Sequence, residues 1–141
     1  MMSRFTEKME QMLQRPVWVI DILPEQVVSC PPGKYFTVEK YFLKDSEVIR
    51  KKRNLALKLN CFYDLEILVD DTELSNPPPE DLAALIEEKY LNIQVGDALL
   101  VIDPTSTHMS LFNADDKLLD LVRSIAAGEG LFVWQPARSN V

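Results

Sequence analysis

Residues 55–67 read LALKLNCFYDLEI, and the fold turns on whether they form a strand or a helix. Large groups hold the odd positions: Leu55, Leu57, Leu59, Cys61, Tyr63, Leu65 and Ile67. Between them stand Ala56, Lys58, Asn60, Phe62, Asp64 and Glu66, mostly small or polar. Such a period of two puts one face against a core and the other in water, which is a half-buried strand. A helix through Val48, Leu55, Leu59 and Phe62 is the competing reading. It exposes Leu57 and Cys61, so the strand is preferred.

Upstream, DSEVIRKKR (45–53) reads as a short helix. Asp45 or Ser46 can cap it, with acid in its first turn and base in its last. YFTVEKYFL (35–43) alternates with Phe36, Val38 and Phe42 on one side and is expected as a strand. VWVIDIL (17–23) is a β-branched run of strand length. Residues 4–14 form a helix candidate capped by Ser3, with Phe5, Met9 and Met12 on one face, Leu13 beside them and Pro16 ending it.

Downstream, DDTELSNPPPEDL breaks the pattern, because prolines cannot donate backbone hydrogen bonds. Pro79 suits a first helical turn with Glu80 and Asp81. Leu82, Leu85, Ile86 and Tyr90 then mark one face of a helix ending near Leu91. ALLVI (98–102) and HMSLFN (108–113) read as strands. Asn113 is expected to cap a helix over 114–127 with Leu118, Leu119, Val122, Ile125 and Ala126 on its stripe and Gly128 closing it. Gly130 then starts LFVWQ (131–135), with Leu131, Val133 and Gln135 on one face and Phe132 and Trp134 on the other. A core position for Trp134 implies that Trp134→Ala costs about 3–5 kcal/mol.

The resulting fold class is α+β. A predominantly antiparallel sheet has a ferredoxin-like βαββαβ portion over about 55–135. A preceding αββα extends the sheet or covers its other face. The element string can also be written as αββαβ twice, with halves at about 1–72 and 73–141. A length of 141 residues suits one compact domain, and 47% hydrophobic content sets the chain apart from disordered sequences.

The segment MMSRFTEKMEQ carries charge where a signal peptide needs an apolar stretch, and no apolar run approaches the ~20 residues of a membrane helix. A cytoplasmic protein without membrane contact is therefore expected. Cys30 and Cys61 make neither a disulfide framework nor a zinc site. The net charge of −7 is concentrated in the second half. Residues 71–141 hold 4 Lys+Arg against 12 Asp+Glu, and residues 1–70 hold 11 against 10. That distribution repels a phosphate backbone, argues against nucleic acid, and attracts a basic protein.

Little chemistry is visible. His108 is the one histidine, flanked by Ser106 and Ser110 without a nucleophile motif. Whether Cys61 lies near it in space is left open, although alternation puts that thiol on the apolar face. Asp70, Asp71 and Glu73 lack the spacing of a calcium loop. Gly128-Glu129-Gly130 leaves a helix rather than entering one, so it is no phosphate cradle. No metal, cofactor or catalytic residue is assigned. Arg50, Lys51, Lys52 and Arg53, with Lys58, form a basic patch. Without the aromatic pattern of an RNA-binding sheet it reads as a cation-dressed helix end, or as a partner for acid on another protein or on this chain's own second half.

The leading expectation is a non-enzymatic acidic interaction module that neutralises or regulates a basic protein, in the manner of an antidote to a toxin domain. Its surface comprises Asp115, Asp116, Asp120, Glu87 and Glu88, with Trp134 as an aromatic anchor. The alternative is a ferredoxin-like small-ligand-binding regulatory module, paired as a homodimer. A small enzyme comes third, marked by convergent carboxylates of raised pKa.

Overall fold

The computed structural model describes residues 4–28 and 31–136, so Ser3 and Cys30 lie outside the described residues, as does the Phe5 side chain. The chain runs α1 (Arg4–Met12), β1 (Val17–Asp21), α2 (Lys34–Leu43), α3 (Ser46–Leu59), β2 (Leu65–Val69), β3 (Thr72–Ser75) and α4 (Pro79–Glu88). It continues through β4 (Leu91–Val95), β5 (Ala98–Ile102), β6 (Met109–Phe112), α5 (Asp116–Glu129) and β7 (Phe132–Trp134). Seven strands form one sheet in the order β3-β2-β4-β5-β6-β1-β7. Each neighbouring pair is antiparallel. The fold is α+β, as expected.

The stretch at 55–67 divides. Its first part belongs to α3, capped by Asp45, whose carboxylate accepts from the Glu47 amide at 3.1 Å. Val48, Lys52, Leu55, Ala56 and Leu59 form its buried stripe, a helical spacing that overrides the alternation. Cys61 is exposed, so the apolar-face position expected of its thiol is corrected. Asn60 ends the helix. Its amide donates to the Tyr63 carbonyl at 3.0 Å and to Asn76 Oδ1 at 2.7 Å. Asn76 in turn bonds the Leu65 backbone through both its amide and its side chain. The strand therefore begins only at Leu65, with Leu65, Ile67 and Val69 buried.

Residues 35–43 are also helical, contrary to the strand expected there. Gly33, at φ 77°, turns the chain into α2, and the Thr37 hydroxyl donates to the Gly33 carbonyl at 2.9 Å. The inward residues are Tyr35, Glu39, Phe42 and Leu43, while Phe36, Val38 and Tyr41 face solvent. Strand propensity reflects fit to a pleated, half-buried surface, and α2 has no such surface beside it.

Two short strands were hidden by turn residues and polar spacing. Asp70 and Asp71 both have positive φ, as a two-residue hairpin turn requires, and they join β2 to β3. LNIQV forms β4 rather than the end of a helix, with Leu91, Ile93 and Val95 inward. The series after α3 is thus ββαβββαβ instead of the expected βαββαβ. At α5 the cap is Asp115 rather than Asn113, and Gly130 at φ 74° closes the helix rather than Gly128.

α3, α4 and α5 cover one sheet face. Leu55, Leu59, Leu82, Ile86, Leu118 and Val122 meet Ile67, Ile93, Leu100 and Leu111 there. The opposite face receives α1, whose Met12 packs on Leu99 and Val101. β5 is buried along its whole length because it lies between these two layers. β1 enters the sheet between β6 and β7. Among the described residues, no helix is long and apolar enough to cross a membrane.

Candidate functional site

β1 reads VWVID, and its alternation sets up a pocket. Trp18 and Ile20 face the helices, so Val17, Val19 and Asp21 face the other way. Ile20 pairs with Met109, which sets His108 opposite Asp21. On the other side Val19 pairs with Trp134 and Asp21 with Phe132. Opposed residues share a face. Asp21, His108, Val19 and Trp134 therefore converge on the sheet face opposite α3, α4 and α5. Gln26, Val27 and Val28, from the segment after β1, and Tyr35 of α2 complete a cavity of about 450 Å3.

The walls are pinned. Trp134 Nε1 donates to the Leu23 carbonyl at 3.0 Å, tying β7 to the segment after β1. Ser106 Oγ lies 2.8 Å from His108 Nδ1 and accepts from the His108 amide at 3.2 Å. Glu39 Oε2 accepts from the Thr107 amide at 3.5 Å and hydroxyl at 3.3 Å. From the helix side, Lys52 donates through Nζ to the carbonyls of Asp103 at 2.8 Å and Ser106 at 2.7 Å. The loop between β5 and β6, which carries His108, is thus clamped from two directions.

The electrostatics follow from burial. Asp21 is 2% exposed, and desolvation raises its pKa above the ordinary carboxylate value. The Ile22 and Leu23 amides and the nearby His108 oppose that rise, while Glu39 adds to it. Burial, reinforced by Glu39 and Asp21, also raises the Tyr35 phenol. Lys52 is 1% exposed, and desolvation lowers its pKa to about 8 against the pull of Asp103 and Glu39. The Ser106–His108 contact has nucleophile–base distance, but the two residues are bonded locally and Ser106 does not line the cavity. It fixes the imidazole. Among the described residues no three His, Cys, Asp or Glu side chains gather to hold a metal ion.

Family models, curated proteins and solved structures yield no match to this chain.

Of the residues singled out from sequence, Trp134 and His108 belong to this pocket. Trp134 is half-buried and lies outside both core clusters, so its expected core position is corrected. We now expect Trp134→Ala to cost only about 1–2 kcal/mol, for one hydrogen bond and part of an apolar ring. Chemical denaturation checks this; a loss near 4 kcal/mol would return Trp134 to the core.

The proposed acidic surface does not assemble. Asp115 caps α5, accepting from the Leu118 amide at 2.8 Å, and Asp116 is in the same first turn. Asp120 is exposed one turn later. Glu87 and Glu88 end α4, which lies on the other side of α3. The connections β3-α4-β4 and β6-α5-β7 run the two helices in the same direction, so these acids sit at opposite ends of the sheet.

The basic patch is likewise dispersed. Arg50 pairs with Glu47, Arg53 with Glu87 and Lys58 with Glu129, while Lys51 lies beside Gly130 and Lys52 is buried. Arg53 and Lys58 thus meet acid of this chain's own second half.

Asp21, Tyr35 and Glu39 were missed in the sequence. Asp21 did carry a signal, a carboxylate where the apolar alternation of a strand should have continued. Tyr35 and Glu39 were concealed by reading α2 as a strand.

Proposed function

We propose that this chain is a non-enzymatic module that binds a small molecule in the pocket around Asp21. The observation that carries the reading is a cavity of about 450 Å3 in which apolar walls stand beside four polar side chains, Asp21, Gln26, Tyr35 and His108, from separate segments of the chain. Small-molecule sites have this composition and size, with a few placed polar groups on apolar walls. The clamps on Trp134 and His108 favour a preformed site over an incidental surface dent. Only Asp21 combines a lining position with a raised carboxyl pKa, and Glu39 is engaged by Thr107, which gives a catalytic carboxylate pair little support.

A fragment screen by amide chemical shifts, using cationic, neutral and anionic compounds, tests the proposal. We expect shifts concentrated at residues 19–28, 35, 108 and 134. A screen in which no fragment perturbs these positions sinks it.

A protein-interaction role for the acidic exterior is the second reading. It is supported by the net charge of −7 and by the aromatic side of α2, where Phe36 is 70% and Tyr41 69% exposed. It predicts capture of a basic protein that weakens strongly between low and high salt; salt-insensitive capture counts against it. A reducing, cytoplasmic location belongs to the same proposal and agrees with the exposed thiol of Cys61.

A further inference from the structure

We infer that the pocket selects a small organic cation, an ammonium group on an apolar or aromatic body, with the charge at Asp21 and the body against Trp134. The inference rests on the ligand-binding reading and names the chemistry of its ligand.

The charges around the cavity point one way. Among the described residues Asp21 is the acidic residue of the lining, and neither Lys nor Arg lines it. Glu39 stands behind Tyr35 as a second carboxylate close enough to raise the phenol and Asp21 alike. Lys52 is the nearby cation, and its ammonium is committed to two carbonyls on the helix side of the loop. An incoming anion would meet Asp21 with Glu39 behind it, whereas an ammonium would meet a desolvated carboxylate that, among the described residues, has no Lys or Arg beside it.

The walls suit the remainder of such a ligand. Val19, Val27 and Val28 offer aliphatic surface, and Trp134 offers ring carbons. Its indole N–H is already bonded to Leu23, so the ring presents its apolar and π surface to the cavity rather than a polar edge. A cation beside an indole gains attraction from the ring quadrupole.

The pH dependence has a fixed sign. A bound ammonium favours ionised Asp21, whose carboxyl pKa is raised by burial. Affinity is therefore greatest above that pKa and falls as pH drops through it. The groups facing Asp21 are His108 from the β6 side and Glu39 and Tyr35 from α2.

The test uses three probes that share a phenylethyl body: 2-phenylethylammonium, neutral 2-phenylethanol and anionic 3-phenylpropionate. Each is titrated into the full chain and followed by amide chemical shifts. We expect the ammonium to bind at least about tenfold more tightly than the alcohol, and the carboxylate to bind more weakly than either. D21N should erase the preference for ammonium over alcohol while leaving alcohol binding in place. W134A should weaken both. If D21N fails to fold, the wild-type pH titration decides, because ammonium affinity must fall on acidification while alcohol affinity changes little.

Equal affinity for ammonium and alcohol overturns the cation inference but leaves the ligand pocket standing. Tighter binding of the carboxylate does the same. Absence of pocket shifts with all three probes overturns the inference, and a blank fragment screen beside it removes the pocket reading too.

Discussion

Between pH 7 and about pH 10.5, the wild-type protein is expected to gain about 3 kcal/mol of stability that a Lys52→Met variant does not gain. Lys52 is the largest of the fully buried side chains, and burial holds its pKa near 8, against 10.5 for an ordinary lysine. Below pH 8 both the folded and unfolded chains carry the proton, so this group contributes no slope. Between 8 and 10.5 the unfolded chain holds a proton that the folded chain has released. Stability then rises with pH, because the state binding more protons is the one disfavoured as protons become scarce.

Near pH 7 two effects of Lys52→Met oppose each other. The variant removes a desolvated charge but takes the Lys52 donor from the Ser106 carbonyl and from the Asp103 carbonyl, which keeps only the Ser106 amide. Each buried acceptor left unsatisfied costs about 1–3 kcal/mol, comparable to the relief of the charge. The net change at pH 7 is therefore small, and the effect appears in the difference between the two pH values. Urea denaturation of both proteins across this range reads it directly. Parallel curves would mean that Lys52 titrates as an exposed lysine and that the loop is not clamped as described.

Leu55→Ala is expected to cost about 3–5 kcal/mol, and Leu57→Ala about 1 kcal/mol or less. The two positions would be equivalent in a strand of period two. In α3, Leu55 is wholly buried among the helix and sheet residues of the main core, whereas Leu57 only packs against its edge. Removing Leu55 leaves a cavity that rigid strands on one side and α4 and α5 on the other cannot collapse to fill. The pair thus measures the period of the segment through energy. Equal losses at both positions would restore the strand.

This segment also shows why part of the fold was legible and part was not. β1, β5 and α5 have clear patterns, a β-branched run, a continuous apolar run and a helical apolar stripe, although both caps of α5 lie two residues beyond the expected Asn113 and Gly128. The α3 sequence supports two periods at once, since leucines at 55, 57 and 59 satisfy alternation while 48, 52, 55, 56 and 59 satisfy a helix. Its decisive position is Lys52, which a hydrophobic pattern counts as polar although its stem and ammonium are both enclosed. β3 and β4 were concealed differently, by paired aspartates in a hairpin turn and by Asn92 and Gln94 between buried residues.

The pocket was less legible than the fold. His108 and Trp134 were singled out, but Asp21 joins them only through strand register, and register across distant segments is not written locally. The acidic surface failed for the complementary reason. Charge totals carry no direction, and the helix connections send Asp115 and Glu87 to opposite ends of the sheet.

The insertion of β1 between β6 and β7 also bears on how the chain is made. Both partners of this early strand come from the last quarter of the sequence. During synthesis β1 must wait, unpaired and apolar, until residues 109–112 and 132–134 have emerged. Such late, non-local pairing slows folding and prolongs the exposure of a strand able to pair wrongly. The hydrogen-bonded edges of β1 and the walls of the pocket are completed by the same event. A ligand held there would therefore mark molecules in which β1 has found both of its partners.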